Sequence, residues 1–91
     1  MRKIEKEMCK AAFGGDNWKK DNTEVVVING VSQVYLHGNH IANVYCGDVE
    51  VNVRTLMNWP TSTTKSRLRA LGCNVYTSNH VTYLDDQAVN L

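Results

Sequence analysis

Three glycine-containing dipeptides divide residues 23–53 into short segments of strand-forming sequence. The dipeptides are Asn29-Gly30, Gly38-Asn39 and Gly47-Asp48. The segments around them are TEVVVI, VSQVYLH, HIANVYC and VEVNV. β-branched residues favour strands, and a two-residue turn containing glycine or asparagine joins adjacent antiparallel strands. The sequence therefore predicts a four-stranded antiparallel meander, which restricts the fold more than any other feature of the chain.

The N-terminal segment predicts an amphipathic helix over residues 2–13. Four apolar residues recur at helical spacing and would share one face: Ile4, Met8, Ala11 and Ala12. Gly14 and Gly15 suit the left-handed backbone at which helices often end. Because so short a helix is unstable alone, we expect its apolar face to dock on the sheet or on a second copy of the protein.

A second helix is predicted over residues 63–71. Pro60 disfavours a helical backbone at Trp59, so a preceding element should end there. The hydroxyl of Thr63 or Ser62 would then cap the new helix by accepting a hydrogen bond from a free backbone N–H group.

The two sides of this second helix differ in chemistry. Helical spacing places three residues on a face that docks on the sheet: Thr64, Leu68 and Leu71. Lys65 and Arg69 fall on the opposite, exposed side, and Arg67 flanks the buried face. The cations therefore have no evident structural role in the sequence.

The C-terminal segment predicts a β-hairpin with its turn at Ser78-Asn79, followed by a terminal stretch, DDQAVNL, with no assigned element. The complete order is an N-terminal helix, a four-stranded antiparallel meander, a short helix and a C-terminal β-hairpin. This order predicts a single α+β domain over residues 1–91.

Composition excludes several classes of protein. The 91 residues carry a formal net charge of only +1, whereas nonspecific nucleic-acid binders usually have a strong basic excess. The N-terminus lacks the apolar stretch of a signal peptide, and no apolar run approaches the roughly 18 residues of a membrane span. We therefore expect a soluble, intracellular protein. A chain of this length buries only about 60% of its unfolded surface, so a homodimer is also expected.

Catalytic and metal-binding patterns are not found in the sequence. The three cysteines are far apart and lack zinc-site spacing, which favours free thiols in a reducing compartment. His37 and His40 flank a predicted turn, but their spacing matches no known set of metal ligands. No phosphate-binding loop or nucleophile motif is present. We expect a protein without enzymatic activity, cofactor or metal.

Two segments resemble a family of small proteins of unknown activity from tailed bacteriophages. These are VYLHGNHIA at residues 34–42 and WPTSTTKSRLRAL at residues 59–71, preceded by Trp18 and an NTxV motif at residues 22–25. The family pattern is YLHGNxIA, then a tryptophan, then TTKSRLxAL. This chain departs from it at Arg69, where the pattern often has asparagine, and at Pro60. The resemblance implies a phage protein that acts in the cytoplasm of an infected bacterium.

The leading functional hypothesis is a phage accessory protein that binds and modulates or inhibits a host or defence protein. The alternative is nucleic-acid or nucleotide binding through the basic helix 63–71, where helix N–H groups and cations would hold phosphate. Trp18 and Trp59 are interpreted first as core residues and second as an interface anchor or a stacking platform. The candidate binding residues are Lys65, Arg69, Arg67, Ser62, Trp59, Trp18, His37 and His40.

Overall fold

The computed structural model describes residues 2–89 and contains three helices and eight strands within them. The elements are α1 (Lys3–Gly14), β1 (Trp18–Lys20), β2 (Thr23–Ile28), β3 (Val31–Leu36), β4 (Asn39–Tyr45), β5 (Asp48–Val51), α2 (Val53–Asn58), α3 (Ser62–Ala70), β6 (Val75–Ser78), β7 (Val81–Leu84) and β8 (Gln87–Ala88). Strands β1 to β5 form one antiparallel meander, and β6 to β8 form a second antiparallel sheet. The predicted α+β class is confirmed.

Three elements were not predicted from the sequence. β1 lies in the segment interpreted as a connector and pairs with β2, with Trp18 opposite Val25. α2 begins where the fourth predicted strand was expected to end. β8 lies in the C-terminal stretch and pairs with β7. The meander therefore has five strands, and the C-terminal hairpin is a three-stranded sheet. None of the helices within residues 2–89 has the length and apolar character that a membrane span requires.

Three of the four predicted hairpin turns are displaced by one residue in the structure. Asn29-Gly30 is confirmed as a turn, but the next two are His37-Gly38 and Cys46-Gly47. Both residues of each turn have positive φ, for example 52° at His37 and 79° at Gly38. Glycine thus occupies the second turn position rather than the first, which a glycine–asparagine dipeptide alone does not reveal. The predicted Ser78-Asn79 turn likewise lies at Asn79-His80.

The core lies between the inner face of the meander and the helices α1 and α3. Its buried apolar residues are Met8, Ala11, Ala12, Val25, Val34, Leu36, Ile41, Ala42, Val44, Leu56, Leu68, Leu71 and Val75. The predicted apolar face of α3 is confirmed, since Thr64, Leu68 and Leu71 are all buried. Trp18 is half-buried and packs against this core, as the core interpretation expected.

A β-bulge interrupts the register between β3 and β4. Val34 lies opposite Ala42, but Tyr35 lies opposite His40, so Ile41 is an extra residue on β4. The bulge breaks the alternation of the strand and leaves Ile41 and Ala42 both buried. Bulges redirect side chains in this way, and here the redirected side chain is Ile41.

A buried ion pair joins α1 to α3. Arg67 Nη1 lies 2.9 Å from Glu5 Oε2, and the two side chains are only 4% and 5% exposed. Arg67 Nε also donates to Thr23 Oγ1 at 3.1 Å, and Ser66 Oγ donates to Glu5. The group links α1, α3 and β2, and its hydrogen bonds compensate for the loss of water around both charges. Arg67 was expected to flank the buried face at the surface; it is instead buried, at 3% exposure.

The two edges of the meander carry charges of opposite sign. Lys19 and Lys20 lie on β1, and Asp48 and Glu50 lie on β5. Two copies that paired through the same edge would bring like charges together, which opposes this route to a dimer. The homodimer expected from the small core stays a prediction.

We expect Arg67→Met alone to lower the free energy of unfolding by about 3–5 kcal/mol, because Glu5 would be left buried without its cation. The Glu5→Met, Arg67→Met double variant should recover most of this loss, since no buried charge remains. Urea unfolding followed by circular dichroism measures both values. The Glu5→Met single variant completes the double-mutant cycle, and an interaction energy below about 1 kcal/mol would show that the pair is not coupled.

Stability should also fall in acid because of Glu5. Burial raises the pKa of this carboxyl, but hydrogen bonds from Ser66 and Arg67 outweigh burial and hold the pKa below its ordinary value of 4.5. A lowered pKa stabilises the folded state above that value, and this contribution is lost as the pH falls through the folded-state pKa. Thermal unfolding between pH 6 and pH 2.5 should show this loss below about pH 4.5. Glu5→Gln should show a shallower dependence, and an identical pH profile would contradict the assignment.

Candidate functional site

The basic residues of α3 do not form one exposed surface. Arg67 is buried against Glu5, as described above. Lys65 Nζ donates to Thr77 Oγ1, and Arg69 Nη1 donates to the Val75 carbonyl oxygen at 3.1 Å. Lys65 is half-buried and Arg69 is exposed. Both therefore hold β6 against α3, a structural contact that the sequence did not reveal.

Trp59 is the most exposed of the large apolar residues within residues 2–89. Its exposed fraction is 55%, so its interpretation as a core residue was wrong. The reason lies in α2, which was not predicted: this helix ends at Asn58 and buries Leu56 instead. Trp59 follows as the C-terminal cap residue, with φ −131° and ψ 61°, and is left at the surface.

A groove of about 240 Å³ lies beside Trp59. It is lined by Leu36, His37, Asn39, Ile41, Thr55, Trp59, Thr61 and Thr64. The first four come from the segment 34–42 and the last three from the segment 59–71, so the two segments that resemble the phage family meet here. We call this feature the Trp59 groove. Of the candidate binding residues, it brings together Trp59 and His37.

The floor of the Trp59 groove depends on the bulge in β4. The carbonyl oxygen of the bulged Ile41 accepts a hydrogen bond from the Asn52 N–H at 2.8 Å. The side-chain oxygen of Asn52 accepts from the Thr55 N–H at 3.2 Å and so caps α2. Asn52 thus fixes the start of α2 against β4, and this places Thr55 and then Trp59 beside the groove.

His40 supports the same junction from the other side. The amide nitrogen of Asn52 lies 3.0 Å from His40 Nδ1, and His40 Nε2 lies 2.7 Å from Asn43 Oδ1. Because the Asn52 oxygen already accepts from Thr55, its amide nitrogen is the donor to Nδ1, and Nε2–H donates to Asn43. The ring also packs on Tyr35, with centroids 5.5 Å apart. Both nitrogens of His40 are occupied, whereas His37 is exposed at the turn.

The sequence predicted Thr63 or Ser62 as the cap of α3, but the cap is Thr61. Thr61 Oγ1 accepts from the Thr64 N–H at 3.1 Å and lies 2.9 Å from Thr64 Oγ1. Ser62 is the exposed first residue of the helix. The backbone of Thr61 is extended, with φ −73° and ψ 159°, which is the usual geometry of an N-cap residue. Its hydroxyl therefore both starts the helix and lines the groove.

The chemistry of the Trp59 groove is that of a binding surface. It is lined by two aliphatic side chains, one indole ring, three threonines, the imidazole of His37 and the amide of Asn39, and no carboxylate, thiol or amine lines it. Outside the groove, burial raises the pKa of the Cys9 and Cys73 thiols, and the nearby carboxylates of Glu5 and Asp85, respectively, raise it further. Within residues 2–89, no three histidine, cysteine or acidic side chains are grouped as metal ligands.

A second hollow of about 380 Å³ lies where α1, β5 and β7 approach each other. Phe13, Asp48, Cys73 and Asp85 are among the residues that line it. Neither Trp59 nor His37 lines this hollow. Its exposed lining is mostly polar, whereas that of the Trp59 groove is mostly apolar. The Trp59 groove is therefore the better candidate for a functional site.

Sequence reasoning missed most of the groove. Leu36, Ile41 and Thr55 were not proposed as site residues, although Leu36 and Ile41 stand inside the quoted segment VYLHGNHIA. The segment itself was the available signal. The bulge that turns Ile41 toward the groove has no marker in the sequence, because its position depends on the partner strand.

We expect Thr61→Ala to lower the free energy of unfolding by about 0.5–2 kcal/mol, because it removes the cap of α3. Ser62→Ala, the matched control at the next position, should change it by no more than about 0.5 kcal/mol. Thermal and urea unfolding of the two variants test the comparison. Equal losses, or a larger loss for Ser62→Ala, would return the capping role to Ser62.

Comparison with known protein families gives one match that covers the chain from end to end. The model of the Kyanoviridae Gp96 protein family matches residues 1–91. Neither curated proteins nor solved structures give a match. The expected resemblance to a phage family is confirmed, and the coverage is complete. The chain therefore belongs to the Kyanoviridae Gp96 protein family of tailed bacteriophages.

Proposed function

We propose that this phage protein is a non-enzymatic accessory protein that captures a host or defence protein in the cytoplasm of the infected cell. Trp59 in the Trp59 groove is the contact residue. The observation that carries the proposal is the 55% exposure of Trp59 beside an apolar groove of about 240 Å³. On binding, the protein would modulate or block its partner.

An exposed tryptophan is a strong anchor for a protein partner. Aromatic side chains bury about 150–250 Å² each, and tryptophan is enriched among the residues that contribute most to binding energy. Trp59 also follows directly on α2. The start of α2 is fixed by Asn52, whose N–H donates to the carbonyl oxygen of the bulged Ile41. The ring is therefore presented from a supported position, which reduces the entropy that binding must remove.

Nucleic-acid binding through helix 63–71 has less support. That hypothesis requires α3 to present a row of free cations to phosphate groups. The charge of Arg67 is neutralised by Glu5, and Lys65 and Arg69 donate hydrogen bonds to β6. The N–H group of Thr64 donates to Thr61 and is not free to hold an anion. The overall charge of +1 adds no long-range attraction.

A capture experiment from host lysate tests the proposal. The tagged parent protein should retain a defined host protein after nuclease treatment, and Trp59→Ala should reduce the captured amount at least about tenfold, as loss of a dominant contact does. Phe13→Ala is the matched control, because Phe13 is also an exposed aromatic residue, at 48%, but lies outside the groove. It should leave capture unchanged.

Two outcomes would overturn the proposal. One is undiminished capture by Trp59→Ala when circular dichroism shows all three proteins folded. The other is capture that depends on nucleic acid and disappears with nuclease, which would favour the helix 63–71 hypothesis instead.

A further inference from the structure

We infer that the free edge of β5 receives an extended basic segment of a partner protein as an additional antiparallel strand. This surface is separate from the Trp59 groove, so the inference goes beyond the proposed function and does not depend on it. Three features of the molecule support it: unpaired main-chain groups along β5, a hollow beside them, and carboxylates that no cation neutralises.

The main chain of β5 has one unpaired edge, because β5 is the last strand of the meander. Tyr45 and Asp48 lie opposite each other across a two-residue turn and so form a hydrogen-bonded pair, and such pairs alternate along an antiparallel ladder. Asp48 and Glu50 therefore direct their main-chain groups to β4, whereas Val49 and Val51 direct theirs outward. Within residues 2–89, no other main-chain group pairs with these outward N–H and C=O groups.

The opposite edge of the meander is protected in a way that β5 is not. β1 has only three residues, and directly before it Asn17 Oδ1 accepts a hydrogen bond from the Val27 N–H at 2.7 Å. Sheets commonly shorten or cover an edge in this manner, because unpaired main-chain groups pair readily with another chain. The uncovered edge of the four-residue β5 is therefore the one suited to strand addition.

The hollow of about 380 Å³ lies beside this edge, on the inner face of the sheet. Val49 and Val51 line it, and their partners on β4, Val44 and Ala42, are buried in the core. Residues of an added antiparallel strand that lie opposite Val49 and Val51 would share their face and direct their N–H groups to β5. The side chains of those residues would therefore enter the hollow.

The charges at the hollow select a basic segment. Asp48 and Asp85 line it, and no lysine, arginine or histidine does. Neither carboxylate has a cationic partner within residues 2–89. Glu50, also on β5, accepts a hydrogen bond from the neutral Asn43 amide at 3.4 Å, which leaves its charge in place. A strand that carries lysine or arginine would meet opposite charge at this edge, whereas an acidic strand would be repelled.

Four synthetic heptapeptides test the inference. The first is acetylated and amidated Thr-Lys-Thr-Lys-Thr-Lys-Thr, in which threonine favours an extended backbone and lysine supplies the charge. The second has glutamate for every lysine. The third carries a methyl group on the main-chain nitrogen of each lysine, and the fourth carries it on that of the last three threonines. Amide chemical shifts in NMR and hydrogen exchange of the Val49 and Val51 amides follow binding.

The lysine peptide should bind at least about tenfold more tightly than the glutamate peptide at low salt, and this ratio should shrink as salt screens the charges. Methylation of the lysine nitrogens should weaken binding at least about tenfold, because main-chain hydrogen bonds supply the affinity of an added strand. Methylation of the threonine nitrogens, which face away from β5, should leave binding unchanged. The Val49 and Val51 amides should exchange more slowly in the complex.

Asp85→Asn should weaken binding of the lysine peptide severalfold, because it removes one carboxylate from the hollow. Asp86→Asn is the matched control, since Asp86 lies in the same turn but does not line the hollow. Both residues have positive φ, of 51° and 64°, which asparagine also adopts. Asp86→Asn should therefore fold like the parent and bind the lysine peptide as tightly.

Equal or tighter binding of the glutamate peptide would overturn the inference, as would equal binding of the lysine-methylated peptide or equal losses for Asp85→Asn and Asp86→Asn. Unchanged Val49 and Val51 amides at about 1 mM lysine peptide, where even weak complexes form, would also overturn it. Shifts of these amides with protein concentration alone would assign the edge to a second copy of the protein instead. Capture from lysate by Trp59→Ala is read separately, so failure at this edge and failure of the proposed function are distinguished.

Discussion

The buried pair of Glu5 and Arg67 determines how the helices are placed on the sheet. A guanidinium and a carboxylate are retained in a core only when their hydrogen bonds are met, and here each group has partners beyond the other. Ser66 donates to Glu5, and Thr23 accepts from Arg67. Because these bonds are directional, they fix α1, α3 and the start of β2 in one arrangement, which apolar contacts alone would specify less strictly.

The two segments that resemble the phage family contain both structural residues and surface residues. In the segment TTKSRLRAL, Ser66 and Arg67 turn inward to Glu5, Leu68 enters the core, and Lys65 and Arg69 hold β6. The surface part lies earlier, at Trp59 and around the turn at His37. Family resemblance alone does not separate these roles, because both kinds of residue stand in the quoted segments. Burial separates them: Arg67 is inaccessible, and Trp59 is exposed.

Elements set by local chemistry were predictable from the sequence, and elements set by distant partners were not. Asn29-Gly30 and the apolar spacing of α1 and α3 act over a few residues, so the strands β2 to β7 and the helices α1 and α3 were found. The role of Arg67 was missed because its partner lies 62 residues away and a lone arginine in a helix usually faces water. α2 was missed because it is only six residues long, too short for its apolar spacing to stand out, and because its start depends on Asn52, which is hydrogen bonded to the bulged Ile41. The Trp59 groove depends on that same junction of Asn52 with Ile41, so it could not be predicted from the sequence.

The distance along the chain between Glu5 and Arg67 has a consequence for the order of assembly. Neighbouring strands of the meander are joined by two-residue turns, so their contacts are local and form rapidly. α1 is synthesised before α3, and the Glu5 carboxylate gains its partner Arg67 only after the chain has grown by a further 62 residues. The apolar face of α1 can dock on the meander before α3 exists, because Ser32 Oγ of β3 donates to the Ala12 carbonyl oxygen, but the charge of Glu5 is then not yet paired with Arg67. The docking of α1 is completed only after the chain has extended through Arg67.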